Sequence, residues 1–281
     1  MIGVISENVC QQRIKKNTEA AVIKMYTLDY TFFLLALIFL INIKYEFISI
    51  ICFILTCLIM FVSISIFNDK FSTLIVKNYI LPYIRENFCK SISFDKVNNK
   101  NYKPGSKPLN YSWGTYLNRW VNITNIISGM INGINYKIAD ANTRASFCGH
   151  EFTDFYGQII EINYNAAFDN EILIAPKKYI KSNFRSNYLL NKEFLIKKHV
   201  VYTQNDNIKY EQFQFIKNFV ENYNKNMYIH ITQNKMLIMI DSNNSLLNQF
   251  NLFYLKEYNY DKLHRIFDLI KSIPKKSVNN K

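Results

Sequence analysis

Four side chains able to do chemistry fall within seven positions of the stretch "FCGHEFTDFYGQIIEINYN", residues 147–165: Cys148, His150, Glu151 and Asp154. A thiol beside an imidazole, with a carboxylate to orient the base, is the equipment of a cysteine hydrolase. Cys148 and His150 are two apart, so on a strand they share a face. Nucleophile and base are normally brought together from distant parts of a chain, however, and no oxyanion-hole glycine pattern accompanies this pair. A zinc site needs four ligands at recognisable spacings, and no second Cys/His pair follows. His199, His230 and His264 stand isolated, and His230 alternates with apolar neighbours, which predicts a solvent-facing position on a strand. The plainer reading is structural. Phe152, Phe155 and Tyr156 anchor a turn, and Gly157 admits the chain to a strand over Gln158–Tyr164. Cys148, His150 and Asp154 remain the weak catalytic candidates. There is no Walker loop, dinucleotide fingerprint, H-E-x-x-H or G-x-S-x-G, so the residues point to no cofactor and no metal.

The elements that must position these residues begin with two apolar runs. "FISIICFILTCLIMFVSISIF", Phe47–Phe67, is 21 residues without a charge, which as a helix spans roughly 30 Å, the thickness of a bilayer core. Upstream, "YTFFLLALIFLINI" from Tyr30 to Ile43 is also uncharged, and only Lys44, Tyr45 and Glu46 separate the two. So short a connection permits only a helical hairpin, about 28–43 and 47–67. A signal-peptide core is disfavoured because the first run starts late, lacks a small-residue cleavage pattern and leads straight into the second. Two buried core helices of a soluble protein are disfavoured by the length and purity of the second run. Arg13, Lys15, Lys16 and Lys24 precede the hairpin, Lys70, Lys77 and Arg85 follow it, and its loop offers Lys44 alone. The positive-inside rule then places both termini in the cytoplasm. No Lys, Arg, Glu or His lies within the spans, and Asp29 sits at an end, so the hairpin reads as an anchor rather than an ion pathway. Ser49, Cys52, Thr56 and Ser63 recur at helical spacing and would let the first helix, or another protomer, pack closely.

Lys and Arg outnumber Asp and Glu by 34 to 21, and all but one unit of the resulting +13 follows residue 68. The excess is spread as isolated lysines, with no compact stripe to mark a specific nucleic-acid site. It suits anionic lipid headgroups, and it also fits a composition rich in Asn, Lys and Ile. Five cysteines, an odd number with Cys52 and Cys57 inside an apolar run, predict reduced thiols and no disulfide.

After the hairpin (1–68), residues 69–110 read as a juxtamembrane helix and linker. Val76, Ile80, Tyr83, Ile84 and Phe88 form a helical stripe that Pro82 kinks or restarts, and the polar stretch Asp95–Asn110 is the linker. Residues 111–281 carry an α+β pattern of helices and antiparallel strands. "LNRWVNITNIISGM" places Leu117, Val121, Thr124 and Ile127 on one face and predicts a helix ending near Gly129. "INYKIAD", "GQIIEINYN", "NEILIAP" and "HVVYTQNDN" read as strands. Phe213, Ile216, Val220 and Tyr223 predict a helix, "MYIHITQNKMLIMID" a hairpin, and Leu263, Ile266, Phe267, Ile270 and Ile273 a last helix.

This order of apolar hairpin, "GINYKIADANTRASF…FYGQIIEINYN…ILIAP", "EFLIKKHVVYTQNDN" and "MYIHITQNKMLIMI" resembles an uncharacterised bacterial membrane-protein family catalogued as domain of unknown function 3137. The resemblance runs from about residue 26 onward. Phe155, Tyr156 and Gly157 match the family's F-x-G strand entry, and Val200–Asn207 its V-Y strand and turn. Lys209 and Tyr210 stand where the family has an acidic residue and alanine. The resemblance implies the architecture and supplies no catalytic residue. Together these features predict a membrane-anchored, non-enzymatic binding or scaffolding module at the cytoplasmic face. Its partners would be the bilayer and an unidentified protein or a second copy. The alternative is a membrane-tethered hydrolase using Cys148 and His150.

Overall fold

A computed structural model describes residues 6–41, 46–102, 121–147, 150–165, 168, 171–176, 189–196, 198–203, 210–223, 225–242, 246–247 and 260–274. The described residues form two compact units, one up to Tyr83 and one from Ile84 onward.

The first unit is helical. Helix α1 runs Glu7–Ile41 and α2 runs Glu46–Ile75, so α1 starts well before its apolar part. At 1.5 Å per residue α1 is roughly 50 Å long, more than the ~30 Å that an apolar bilayer core would cover. A buried stripe of Cys10, Ile14, Thr18, Ala21 and Met25, spaced three or four apart, lets α1 pack along α2. On α2 the less exposed positions Thr56, Met60, Ser63 and Phe67 also share a face. Their antiparallel register is tied at the polar ends. Tyr83 donates its hydroxyl proton to Glu7 at 2.8 Å, the Cys10 thiol approaches the Tyr79 carbonyl at 3.6 Å, and Asn17 donates to the Tyr79 hydroxyl.

Pro82 neither ends nor restarts the helix from scratch. Between α2 and the short α3 (Leu81–Asn87), residues Val76–Ile80 form a π turn, closed by the Leu81 N–H on the Val76 carbonyl. Proline lacks an N–H and its ring crowds the carbonyl four residues back, so one widened turn lets the helix continue through it.

The second unit is a mixed helix and antiparallel-sheet assembly. Strands β1 (Ile92–Tyr102), β2 (Val121–Ile131), β3 (Ile134–Phe147), β4 (His150–Asn163), β5 (Ile172–Pro176), β6 (Leu189–Ile196), β7 (His199–Thr203), β8 (Asn226–Ile231) and β9 (Lys235–Asp241) form one sheet. Their spatial order is β1-β2-β3-β4-β9-β8-β5-β7-β6, every neighbouring pair antiparallel. Helices α4 (Tyr210–Tyr223) and α5 (Tyr260–Ser272) are both amphipathic and bury Ile216, Val220, Leu263, Ile266, Phe267 and Ile270. Tyr136 meets Phe267 edge-on at 5.5 Å, which places α5 on the sheet face that carries Tyr136, Ile138 and Asp140. The opposite face holds its own apolar cluster, including Phe155, Ile159, Leu173, Tyr228, Leu237 and Met239. Central strands are therefore buried on both sides, as the unbroken burial of β5 and of Met227–Ile231 records.

Two sequence expectations fail here. Val121–Ile131 is a strand, where the spacing of Leu117, Val121, Thr124 and Ile127 predicts a helix. The register passes from Ile123↔Ala141 to Asn125↔Asp140, so Thr124 is an extra residue, a bulge that turns Ile123 and Ile127 to opposite faces. The bulge breaks the two-residue alternation and leaves a spacing that imitates a helix. The β-branched content of "VNITNII" is what favours the extended chain. The second failure is the linker, because Ile92–Tyr102 is strand β1, paired with β2 alone at the sheet edge. Its Asn and Lys content reads as loop, yet charged and polar residues are what an edge strand carries to discourage further pairing.

Two glycines are placed for opposite reasons. Asn132 and Gly133, with φ of 52° and 84°, make the two-residue connection between β2 and β3, and a side chain at Gly133 would meet nothing within 4 Å. Gly157 lies mid-strand, where a Cβ would come within 1.8 Å of the Ile240 carbonyl oxygen on β9. It permits the close approach of β4 and β9 rather than merely admitting the chain to a strand. Gly157→Ala should therefore cost several kcal/mol, since backbone must shift, against about 1 kcal/mol for Gly133→Ala. Urea unfolding of the two purified variants should rank them in that order, and equal midpoints would contradict it.

Candidate functional site

Of the opening cluster, Cys148 lies outside the described residues, and for His150, Glu151 and Asp154 only the backbone is described. They belong to β4. His150 pairs with Phe147 and Glu151 with Ser146, while Asp154 is the extra residue where the register shifts between Thr143↔Phe155 and Arg144↔Thr153. The segment is strand from His150 onward, so the turn expected at Phe152, Phe155 and Tyr156 is corrected: these residues already pair with β3, and the strand begins earlier than Gln158. Among the described residues no three His, Cys, Asp or Glu side chains converge to hold a metal ion.

The structure joins other polar groups that sequence spacing does not reveal. His230 is buried, only 4% exposed, and its Nε2 forms a hydrogen bond with a Glu171 carboxylate oxygen. This corrects the solvent-facing expectation, which assumed one wet face for a strand that has none. Lys235 Nζ lies 3.2 Å from Glu161 Oε2, on the neighbouring strand. Asp140, 1% exposed, accepts the backbone N–H groups of Leu246 and Leu247 at 2.6 and 2.9 Å and the Asn125 amide at 3.4 Å. A carboxylate so occupied fastens the chain beyond β9 to the sheet. At the β2 end the Cys89 thiol sits 2.9 Å from the Ser91 carbonyl oxygen and 3.0 Å from that of Met130. Burial and that thiol push the Tyr136 hydroxyl above its usual range. These contacts join elements of the fold to one another and present no nucleophile with its base.

The surface best fitted to a function lies on the first unit. Ile50, Ile51, Phe53, Ile54, Leu55, Leu58, Ile59, Phe61, Val62 and Ile66 are exposed around α2, with Phe33, Leu34, Leu35 and Ile38 on α1. Both helices are long and apolar enough to cross a membrane by length and composition, and none of the α2 window is buried. A core helix of a soluble protein would be covered; this one is not.

No family model matches the chain, and no curated protein matches it. Among solved structures, the crystal structure of the mycobacterial trehalose monomycolate transport factor A is similar at a TM-score of 0.37 and 14% identity, over 65% of this chain and 90% of that one. That likeness is too slight to carry a fold or an activity across.

Two histidines make the sheet domain sensitive to acid. His199, at the end of β7 opposite Pro176, accepts the Met227 N–H on Nε2 at 3.1 Å, so that nitrogen must be unprotonated. Burial, with Lys198 adding to it, lowers His199 to about 4. Burial also lowers His230, against the opposing pull of Glu171. A folded-state pKa below the ordinary ~6.5 means the unfolded chain binds more protons between the two values. Stability is full above pH ~6.5 and falls as pH drops toward 4, by on the order of 3 kcal/mol for His199. His199→Gln, which offers an amide oxygen near the same place, should flatten that fall. Urea midpoints measured above and below this window test it, and parallel pH profiles for the two proteins would refute the assignment.

Proposed function

We propose that the chain is a membrane-tethered, non-enzymatic binding or scaffolding module: a two-helix transmembrane hairpin holds the α+β domain at the cytoplasmic face. The observation that carries this is the uncovered apolar perimeter of α2. Each such side chain left in water forfeits about 1.5–3 kcal/mol, so ten of them need an apolar solvent. Hydrocarbon also accepts a helix readily, because its backbone hydrogen bonds are closed internally.

The contacts that tie Glu7, Cys10 and Asn17 to Tyr79 and Tyr83 support a hairpin whose polar ends lie together. Arg13, Lys15, Lys16, Lys24, Lys70 and Lys77 gather at those ends, which supports the cytoplasmic side by the positive-inside rule. This architecture agrees with the resemblance to domain of unknown function 3137, which belongs to the same proposal. The binding role fits a domain in which buried Asp140, His199 and the Glu171–His230 pair are occupied in holding the fold. A hydrolase built on Cys148 and His150 is the competing reading.

In carbonate-washed membranes the protein should stay in the pellet, and single cysteines placed near residues 8 and 275 should both react only from the cytoplasmic side. Cys148→Ser and His150→Ala should leave its cellular effect intact, while release of the domain from the hairpin should abolish it. Loss of function in either point variant at normal abundance would favour the hydrolase.

A further inference from the structure

Ser93 on β1 pairs with Ser128 on β2, Ser128 with Lys137 on β3, and Lys137 with Glu161 on β4, so these four side chains form one row across the sheet. Nearer the β2–β3 turn, Met130 pairs with Asn135 and Asn135 with Asn163, which makes a second row on the same face. That face is the one opposite α5, since Lys137 stands two residues from Ala139 of the apolar cluster there. Between the rows, Ile92 and Tyr136 point to the other face and Gly129 has no side chain. Backbone therefore floors a trough of about 440 Å³. At ordinary strand spacings the rows are about 7 Å apart, and β1 to β4 span about 14 Å.

The trough is wet and cationic. Ser93, Met130, Asn135, Lys137 and Asn163 are exposed along it. The Ser93 and Ser128 hydroxyls lie 2.8 Å apart; whichever donates, the other keeps a hydrogen that can turn toward a ligand. Glu161, next in the first row, is held from its other flank by Lys235 at 3.2 Å, and Asp95 lies one row beyond Ser93, away from the trough. Lys137 makes no ion pair among the described residues, and no carboxylate lines the trough.

We propose that this trough binds a small phosphorylated polyol of hexose size, its phosphate on the Ser93–Ser128–Lys137 row and its hydroxyl groups on Asn135 and Asn163. Two hydroxyls and an ammonium side by side offer donors to phosphate oxygens. Each asparagine amide both donates and accepts, which is what neighbouring sugar hydroxyls require. The spacing of the two rows lets one ring rest on the floor between them. Inorganic phosphate would leave the asparagines unused, and an uncharged sugar would leave Lys137 without a counter-charge. A nucleotide base would find no aromatic face, because Tyr136 points away. The volume falls within the usual range for small-molecule pockets. Every residue of the trough belongs to the sheet domain, so the inference goes beyond the membrane reading and does not rest on it.

Equilibrium dialysis of the full chain in neutral detergent, against labelled glucose 6-phosphate, glucose and inorganic phosphate, tests this. Glucose 6-phosphate should bind more tightly than either of the others. Lys137→Gln should weaken it about fivefold, the upper end for an exposed ion pair, whereas Lys225→Gln removes the same charge outside the trough and should leave it unchanged. Asn163→Ala should weaken glucose 6-phosphate about fivefold and leave inorganic phosphate unaffected. Unchanged urea midpoints for these variants show that the fold is intact. Reconstitution into phosphatidylcholine vesicles with and without phosphatidylinositol separates the sources of the ligand: displacement of glucose 6-phosphate by the lipid assigns the trough to a headgroup, and its absence to a free solute. Absence of glucose 6-phosphate binding, inorganic phosphate binding as tightly, or equal losses from Lys137→Gln and Lys225→Gln overturns the proposal.

Discussion

The ladder between β4 and β9 is the contact on which the rest of the sheet depends. Strands β1 to β4 form one consecutive meander, β9-β8-β5-β7-β6 form the other half, and among the described residues the only pairing between the halves runs from Gly157↔Asp241 to Asn163↔Lys235. Hairpins such as β2–β3 close locally. The β4–β9 ladder must bring together segments far apart in the chain, at a larger cost in loop entropy. Gly157 matters for that reason. It removes the one Cβ that would hold β9 away at the start of the ladder.

Joining the halves produces a sheet whose central strands are buried on both faces, and this governs where polar groups can go there. A buried donor or acceptor without a partner costs about 1–3 kcal/mol, which favours placing charged and imidazole groups where partners await them. Asp140 is matched by two backbone N–H groups and an amide, and His199 by the Met227 N–H. Glu171 and His230 satisfy each other. These four side chains therefore report on the wiring of neighbouring strands, and their chemistry is spent there. The same reasoning separates these residues from Lys137, which is exposed and lines a trough.

The helical unit answers a different constraint. Its apolar residues surround α2 instead of lying on one stripe, and its polar residues gather beyond the ends. On the proposed reading the bilayer supplies what the core supplies to the sheet. The π turn before Pro82 then lets α2 continue as a polar stem beside the first turns of α1.

The sequence by itself determined the two long apolar helices, the α+β class, the strands beginning at Ile134, Ile172 and His199, and both amphipathic helices of the domain. Each rests on a signal local to a few turns or one strand: a charge-free run, a 3.6-residue period, or β-branched alternation ended by a turn. Only the tertiary structure decided the rest. The Thr124 bulge disguised β2 because one inserted residue reverses the face of everything beyond it, and its effect is visible only against the register of β3. Polar β1 became a strand because β2 offers it a ladder, which no property of "ISFDKVNNKNY" announces. His230 looked solvent-facing because alternation assumes one wet face, and burial of the second face is set by the layers packed around the sheet. Asp140 carries no motif, since its partners are backbone groups at Leu246 and Leu247, and a backbone N–H leaves no trace in the order of side chains.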